Sequence, residues 1–465
     1  MKTLKRIAGL LALVGASLLS FSCEKQGEEL IVPVENNKEE VVEVVTPEEE
    51  PKVEEPAPVQ LPETRLSLNE EQMKNIAPGN DFTFRFFEKV YNNSVFETPG
   101  SKVSYDVDNM FLSPLSVQFV CGMLGNLMED QASLSKMLGF EGEGIERVNE
   151  YFRTLTGDLV KERSGSSLNL ANAIMRDVKA PGFPEEFIES LKTFYYSDYL
   201  EFEAQSLEDQ PVGERPEDLW VKDKTAGLMD SAPLPVLPEG YSLLNALCFK
   251  ADWVDKFDPS NTSMSPFSDA KEVVGMVPMM RKTNKYPYFK NDDFRAVSIP
   301  MGEGAYYLTV ILPSQDKPVK DIVKSLDSET WSKMRASLVS KELHLGIPKF
   351  NAEFTHNNLF GLLDEEFVKD YSNQIEKKLS EDFDNTIWFN VLAQKSLFKM
   401  DEDGATAAAV TQLGYYTSPG GDPDPIEVFN ADHPFVYAIS EAGSGLILFI
   451  GTYSGKGAAP YNPFE

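Results

Sequence analysis

The sequence predicts an α+β fold, and the order of its patterns together with its composition predicts it. Helical spacing dominates early in the body, short apolar runs with strand character crowd the later part, and hydrophobic residues make up 42% of the chain, enough for a sizeable core. The strand–helix alternation of a parallel βαβ sheet is missing. The chain has 465 residues, with 43 Lys and Arg against 74 Asp and Glu and a formal net charge of −31. That surplus would repel phosphates and argues against nucleic acid as a partner. Three Cys cannot build a disulfide framework. His344, His356 and His433 stand far apart without metal-ligand spacing, so neither a metal nor another cofactor is expected.

Residues 1–22 read as an export leader. Lys2, Lys5 and Arg6 form a basic start, and Ile7 to Ser20 is an apolar run of 14 residues, too short for an ordinary membrane span and suited to a signal core. Ser22-Cys23 follows, then Glu24 and Lys25. This resembles a bacterial lipoprotein signal with a relaxed lipobox, since Ser20 and Phe21 depart from the usual Leu-Ala/Ser. The resemblance implies cleavage before Cys23, lipidation of Cys23, and anchoring to the outer membrane, exposed at the surface or in the periplasm. An ordinary secretory peptide is the other reading. Residues 23–69 read as an acidic tether: between 24 and 65 stand 13 Glu, six Pro, four Lys or Arg and no aromatic residue. Such a segment buries too little apolar surface to offset its chain entropy, and self-repulsion extends it.

The body runs over 70–457, with a short tail at 458–465. Asn80 to Tyr91 places Phe82, Phe86 and Val90 at helical spacing after an Asn/Asp start. Ser113 to Met128 reads as a second helix, with Ser113 as N-cap and Pro114 at the first helical position. Ser242–Phe249, Phe294–Ile299 and Tyr306–Leu312 read as strands, and Val436–Ser440 with Leu446–Thr452 as a closing pair around Gly443-Ser444-Gly445.

No enzyme emerges. There is no G-x-S-x-G elbow, no H-E-x-x-H and no Walker A sequence. Ser113 and Ser116 sit in a helix-start pattern with no nearby His to act as base. Glu365 and Glu366 are adjacent and point apart on a helix. Cys121 and Cys248, in apolar surroundings, read as buried inert thiols.

Asp401 to Ser418 is the informative stretch. Charged residues lead into Gly404, then Ala405, Thr406, Ala407, Ala408 and Ala409. Ala favours helix over strand, so this run beside Val, Thr and Tyr is conformationally ambivalent. Read with period two, one face holds Ala405, Ala407, Ala409, Thr411, Leu413 and Tyr415, the other Thr406, Ala408, Val410, Gln412, Gly414 and Tyr416; neither carries a charge. Taken alone, the stretch fits a flexible Ala-rich loop or a segment able to enter a sheet without burying an ion.

Several ordered motifs over about residues 70 to 457 resemble the serpin family. Asn109-Met-Phe-Leu-Ser113-Pro-Leu-Ser116 is similar to its second helix start. Trp220-Val221 with Thr225 and Gly227 resembles W-V-x-x-x-T-x-G. Asn245-Ala246 through Phe249-Lys250, Trp253 and Phe257 follows N-A-x-x-F-K-G-x-W-x-x-x-F. Ile347-Pro-Lys-Phe350, Phe429-Asn-Ala-Asp-His433-Pro-Phe435 and Leu448-Phe449-Ile-Gly451 come in the expected order.

The resemblance implies a large central mixed sheet, two further sheets, about nine helices and an exposed reactive-centre loop. It implies a loop hinge at Glu402, Asp403, Gly404, Ala405, Thr406, Ala407, Ala408 and Ala409, a shutter region at Ser113, Ser116, Asn245 and Gln394, and a breach residue at Trp220. Ala405 and Thr406 replace the family's Thr/Ser and Glu with small uncharged residues. Gln394-Lys395 stands where the family has His-Lys, and Gln keeps the donor and acceptor needed to bond Asn245. Ala251 replaces a Gly.

The implied activity is protease inhibition as a suicide substrate: the target cleaves the loop, and the freed segment inserts as a strand before the acyl-enzyme hydrolyses. Family length from Glu402 leads to Ser418–Pro419, a poor bond because of the proline. The expected reactive bond is therefore Tyr416–Thr417 or Thr417–Ser418. Tyr416 suits a chymotrypsin-like pocket and Thr417 an elastase-like one, while a papain-like cysteine protease would read the aromatic one position earlier. No Lys or Arg lies between Gly404 and Ile426, which disfavours a trypsin-like target. The expected inhibitor is monomeric, meets the membrane only through its lipid anchor, and is not an enzyme. The alternative is a non-inhibitory serpin acting as a binding or carrier module.

Overall fold

The computed structural model of the protein describes residues 57–98, 101–161, 164–205, 209–269, 272–315, 317–381, 387, 389, 392–404 and 426–455. Cys23, the hinge positions Ala405 to Ala409, the bond region Tyr416, Thr417 and Ser418, and the 458–465 tail lie outside them. The chain divides after Glu54, and the unit described here belongs to Glu55–Glu465. The tether therefore ends earlier than residue 69. Leu66 and Leu68 are buried, Ser67 bonds Asp158, and Arg65 N donates to Glu441 at 3.0 Å. Two Leu after the Glu-rich run supply the apolar contact that the run itself lacks.

Helix α1 (Glu70–Met73) is closed by a capping box of Asn69 and Gln72. Helix α2 (Ile76–Asn92) starts four residues before the expected Asn80, because Pro78 in a first turn sacrifices no intrahelical hydrogen bond. Its Phe82, Phe86 and Val90 are buried as expected. Hairpin β1 (Val95–Thr98) and β2 (Ser101–Ser104) and the short β3 (Phe111–Leu112) lead to α3 (Pro114–Gly125). Ser113 caps α3 by accepting from Ser116 N at 3.2 Å. Eleven of the twelve α3 residues are buried, so this helix runs through the core.

Next come α4 (Ala132–Leu138), α5 (Ile145–Leu159), β4 (Ser166–Asp177), α6 (Glu185–Tyr195), β5 (Asp198–Phe202), α7 (Pro216–Lys224) and β6 (Tyr241–Ala251). The hairpin of β7 (Ser263–Asp269) and β8 (Glu272–Lys290) precedes β9 (Phe294–Met301) and β10 (Tyr306–Pro313). Then follow α8 (Val319–Ser325), α9 (Ser328–Ala336), β11 (Val339–Pro348), β12 (Phe350–His356), α10 (Glu365–Glu381), β13 (Gln394–Met400) and β14 (Glu427–Asn430). β15 (Phe435–Glu441) and β16 (Ile447–Tyr453) close the fold, with Gly443-Ser444-Gly445 in their turn as expected.

The fold is mixed α and β. Among the described residues there are ten α-helices, the first a single turn, and they do not all precede the strands: α8, α9 and α10 come late, while β4 and β5 come early. A nine-stranded sheet runs β14-β11-β8-β9-β10-β15-β16-β3 with β7 on β8; every pairing is antiparallel except β11 with β14. Two smaller sheets, β5-β4-β6 and β12-β13, accompany it, besides the separate β1-β2 hairpin. An aromatic stack joins the large sheet to β12-β13. Phe111 lies 4.8 Å from Phe449 and 5.0 Å from Phe398, and Phe350 stacks on Tyr453 at 4.1 Å between ring centroids.

Candidate functional site

Among the described residues β6 and β13 each pair on one side only, β6 with β4 and β13 with β12. Among the described residues no ladder joins the two strands to each other. Both nevertheless line one cleft, β6 through Leu244, Asn245 and Ala246, β13 through Gln394 and Lys395. Ser116 and Val120 of α3 form its floor. An adjoining cavity of about 610 Å³ shares Val120, Leu243, Leu244 and Leu392 with it. The cleft is bounded by backbone whose donors and acceptors have no strand partner on that side among the described residues, a poor arrangement unless water or another strand supplies one.

At one end the walls are stitched together. Trp253 N donates to Asp403 O at 3.2 Å, Phe257 N to Glu402 O at 3.0 Å, and Asp252 bridges Gly404. Trp253 Nε1 donates to Asp401 O at 2.8 Å. Since the C-terminal ends of β6 and β13 meet here, the two strands run in the same direction. Gly404 has φ +104°, and a Cβ there would stand 2.5 Å from Ala251 O and Trp253 N. Only glycine fits.

Glu402 is buried, yet its oxygens accept from Lys349 Nζ at 2.6 Å and Thr262 Oγ1 at 2.8 Å. Burial pushes its carboxyl up, but these hydrogen bonds and the Lys349 charge outweigh burial and hold it below the usual range. Past the 405–425 segment, β14 is fastened in the same way. Glu427 accepts from Tyr288 Oη at 2.5 Å and pairs with Lys341 and Lys290.

At the far end Gln394 grips the start of α3. Ser113 N donates to Gln394 Oε1 at 2.9 Å and Gln394 Nε2 donates to Ser113 O at 2.8 Å. Ser113 Oγ donates to Leu448 O at 2.9 Å, tying the helix start to β16. The expected Gln394–Asn245 bond is not formed. Asn245 Nδ2 instead donates to Asn172 Oδ1 at 2.8 Å, and its buried Oδ1 has no partner. Gln394 spends its amide on Ser113 across the cleft floor, and so it does not span the cleft to β6. Ser113, Ser116 and Gln394 are thus hydrogen-bonded in one group, with Ser113 bonding both of the others, whereas Asn245 is bonded to Asn172 and to none of the three.

Trp220 lies elsewhere. It is on α7, donates to Asp198 Oδ2 at 2.8 Å, and packs with Ala173, Leu244 and Ala246. Leu244 is eight residues from Asp252 along β6, roughly 26 Å at strand rise. The Trp at the stitched end is Trp253. The sequence carried that signal, since Trp253 stands in the same motif that begins at Asn245. Lys349 was likewise within a quoted motif but without a role, and Thr262 follows shortly after another, because their partner Glu402 is far off in sequence. Burial keeps both described thiols protonated, pushing Cys248 up to about 11 and Cys121 higher still. Among the described residues no group of His, Cys, Asp or Glu could hold a metal ion.

The family model for serpins (serine protease inhibitors) matches residues 78–455. The leukocyte elastase inhibitor of Homo sapiens is 29% identical over 363 residues, covering 74% of this chain and 93% of that protein. The crystal structure of a thermophilic serpin, tengpin, in the native state superposes with a TM-score of 0.67 at 23% identity, over 86% of this chain and 97% of that one. Human thyroxine-binding globulin complexed with thyroxine gives a TM-score of 0.64 at 20% identity, over 82% and 98%. A match spanning most of the body, together with this fold, makes the chain a member of the serpin family.

Proposed function

We propose that this serpin inhibits an endopeptidase as a suicide substrate, inserting the segment after Gly404 between β6 and β13. The observation that carries the reading is the pair of facing strands without a ladder between them, stitched together where the loop begins. A strand turning back at Gly404 would reach the level of Gln394 at about Gly414, given equal rise on both strands. That is short of the Tyr416–Thr417 and Thr417–Ser418 bonds, so cleavage at either leaves enough chain to fill the cleft. The inserting side chains Ala405 to Ala409 bring no ion into it.

In this scheme the nucleophile of the target attacks the carbonyl of the scissile bond. The amine of the next residue leaves with a proton, and the acyl-enzyme is carried along as the strand inserts. Ser113, Ser116, Asn245 and Gln394 act as the shutter through which the strand passes, and Trp253 guards the hinge end. The target is a serine endopeptidase of elastase- or chymotrypsin-like specificity, with a papain-like cysteine protease as second candidate. The relationship to leukocyte elastase inhibitors supports the first. The protein works as an exported monomer, lipid-anchored at Cys23 to the outer membrane.

Incubation with elastase, chymotrypsin and papain tests the reading. An SDS-resistant covalent complex is expected with one of the serine proteases, and the released fragment should begin at Thr417 or Ser418. Cleaved loop without complex in every case would reject it.

A further inference from the structure

The cavity beside the cleft has the make-up of a small-molecule site. At about 610 Å³ it falls within the size range of ligand pockets. Val120 and Leu124 lie one turn apart on α3 and form one wall, Leu243 and Leu244 of β6 form a second, and Phe360 and Leu363 a third. Burial keeps the Cys121 thiol on the α3 wall protonated, so it adds no charge. Among the described residues the one charged side chain lining the cavity is Glu239.

Glu239 is exposed, so it marks where the cavity meets solvent. Pro233, Pro235 and Pro238 stiffen the segment that leads to it. Its φ is +58°, left-handed backbone that a residue with a side chain adopts only under strain. Buried Asp177 holds it there. Glu239 N donates to Asp177 Oδ2 at 2.6 Å, Asp177 N donates to Gly240 O at 3.1 Å, and Gly240 N donates to Leu237 O at 2.9 Å. Lys179, a cation that feels the Glu239 charge, is itself paired with Glu203 at 2.7 Å. Among the described residues the Glu239 carboxylate has neither a hydrogen bond nor an ion pair. The mouth is thus a fixed frame carrying a free carboxylate, and the walls behind it are apolar.

We infer that this cavity binds an apolar amine, with its hydrocarbon part between α3 and β6 and its ammonium at Glu239. A carboxylate of the same shape would bring like charge to Glu239 and leave its own ion without a partner. A neutral alcohol would gain the walls but not the ion pair. The inference goes beyond the insertion reading and stands without it, since walls and mouth are both present in the intact chain whether or not a protease is trapped.

Calorimetric titration of the full chain with hexylamine, nonylamine, 1-nonanol and nonanoate tests it. Nonylamine should bind tightest, with affinity rising about fourfold per methylene between the two amines, the effect of one buried CH₂. Nonanol should bind about 1.5- to 5-fold more weakly than nonylamine, the range for an exposed ion pair, and nonanoate more weakly still. Glu239→Gln should remove the preference for amine over alcohol and leave the melting temperature near that of the parent. Val120→Phe and Leu243→Phe push a ring into the cavity from two walls. Each should weaken nonylamine binding about tenfold, with thermal unfolding showing which of the two stays folded. An amine affinity that ignores chain length and survives both ring substitutions would place the ligand on the acidic surface and overturn the site. Equal binding of nonylamine and nonanoate would overturn the assignment of a cation.

Discussion

Gly404 shows how tightly a single backbone position is specified. Its positive φ and the 2.5 Å approach of Ala251 O and Trp253 N leave no room for a methyl group. Gly404→Ala should lower the stability of the intact protein by about 1–3 kcal/mol, read from thermal unfolding; an unchanged melting curve would mean the stem is not held against β6. His356 makes a different prediction. It is buried on β12, stacks on Tyr105 at 3.7 Å, accepts from Asn358 N at 3.2 Å, and leaves Nε2 without a partner. Burial lowers its pKa from 6.5 to about 4. The unfolded chain then binds the proton more readily than the folded one. The stability tied to neutral His356 is fully present above pH 6.5, is lost progressively as pH falls toward 4, and is constant below that. The loss amounts to roughly 3 kcal/mol at most. Stability measured from pH 7 to 4 should fall less steeply in His356→Phe than in the parent; parallel profiles would mean the imidazole is hydrated in the native state.

At the scale of elements, the prediction concerns what enters the cleft. Ala405 is the first residue beyond the stitched end, and since Gly404 opposes Asp252 in an antiparallel bridge, insertion would place it beside Ala251. Ala405→Arg would carry a charge into a site walled by strand backbone. The penalty of burying an unpaired ion is several kcal/mol, enough to slow entry below acyl-enzyme hydrolysis. The variant should be cleaved as a substrate with little SDS-resistant complex, and undiminished complex yield would count heavily against insertion. Most of the elements involved were legible beforehand. The α3 cap at Ser113, the strands β6, β9, β10, β15 and β16, and the final turn all follow from local chemistry: a capping side chain, a proline, alternating or continuous apolar runs, a glycine pair. What was not legible depends on pairing at a distance. Nothing local to Gln394 says that its amide turns to Ser113 and not to Asn245, because that choice is set by how α3 sits against β13. Trp220 and Trp253 each stand in a quoted motif, and only the packing of α7 and the hydrogen bonds at the end of β6 show which lies at the stitched end. Leu66 and Leu68 are two apolar residues at the edge of a charged run, too few to mark a boundary until the surface they cover is known.

For the whole molecule, the proposed insertion requires that the native state is not the most stable arrangement of this chain. Among the described residues β6 and β13 each leave one edge of backbone donors and acceptors without a strand partner, beside a cavity of about 610 Å³. A strand entering antiparallel to both would pair on its two sides. At about 0.5–1.5 kcal/mol net per hydrogen bond, ten or so such bonds contribute on the order of 10 kcal/mol, to which burial of Ala, Val and Leu side chains adds. An uncut loop cannot realise this gain while Glu427 holds β14 against β11 through Lys341, Lys290 and Tyr288, because both ends of the loop are then fixed. Cutting the loop frees one end. Limited proteolysis between Gly404 and Ile426 should therefore raise the unfolding temperature of the two-fragment product far above that of the intact protein, by tens of degrees if the bonds estimated here form. Calorimetry on intact and elastase-nicked protein decides it. A carrier or binding module whose loop stays outside the sheet would melt at the same temperature before and after the cut, and that result would remove the driving force on which trapping and the Ala405→Arg effect both depend.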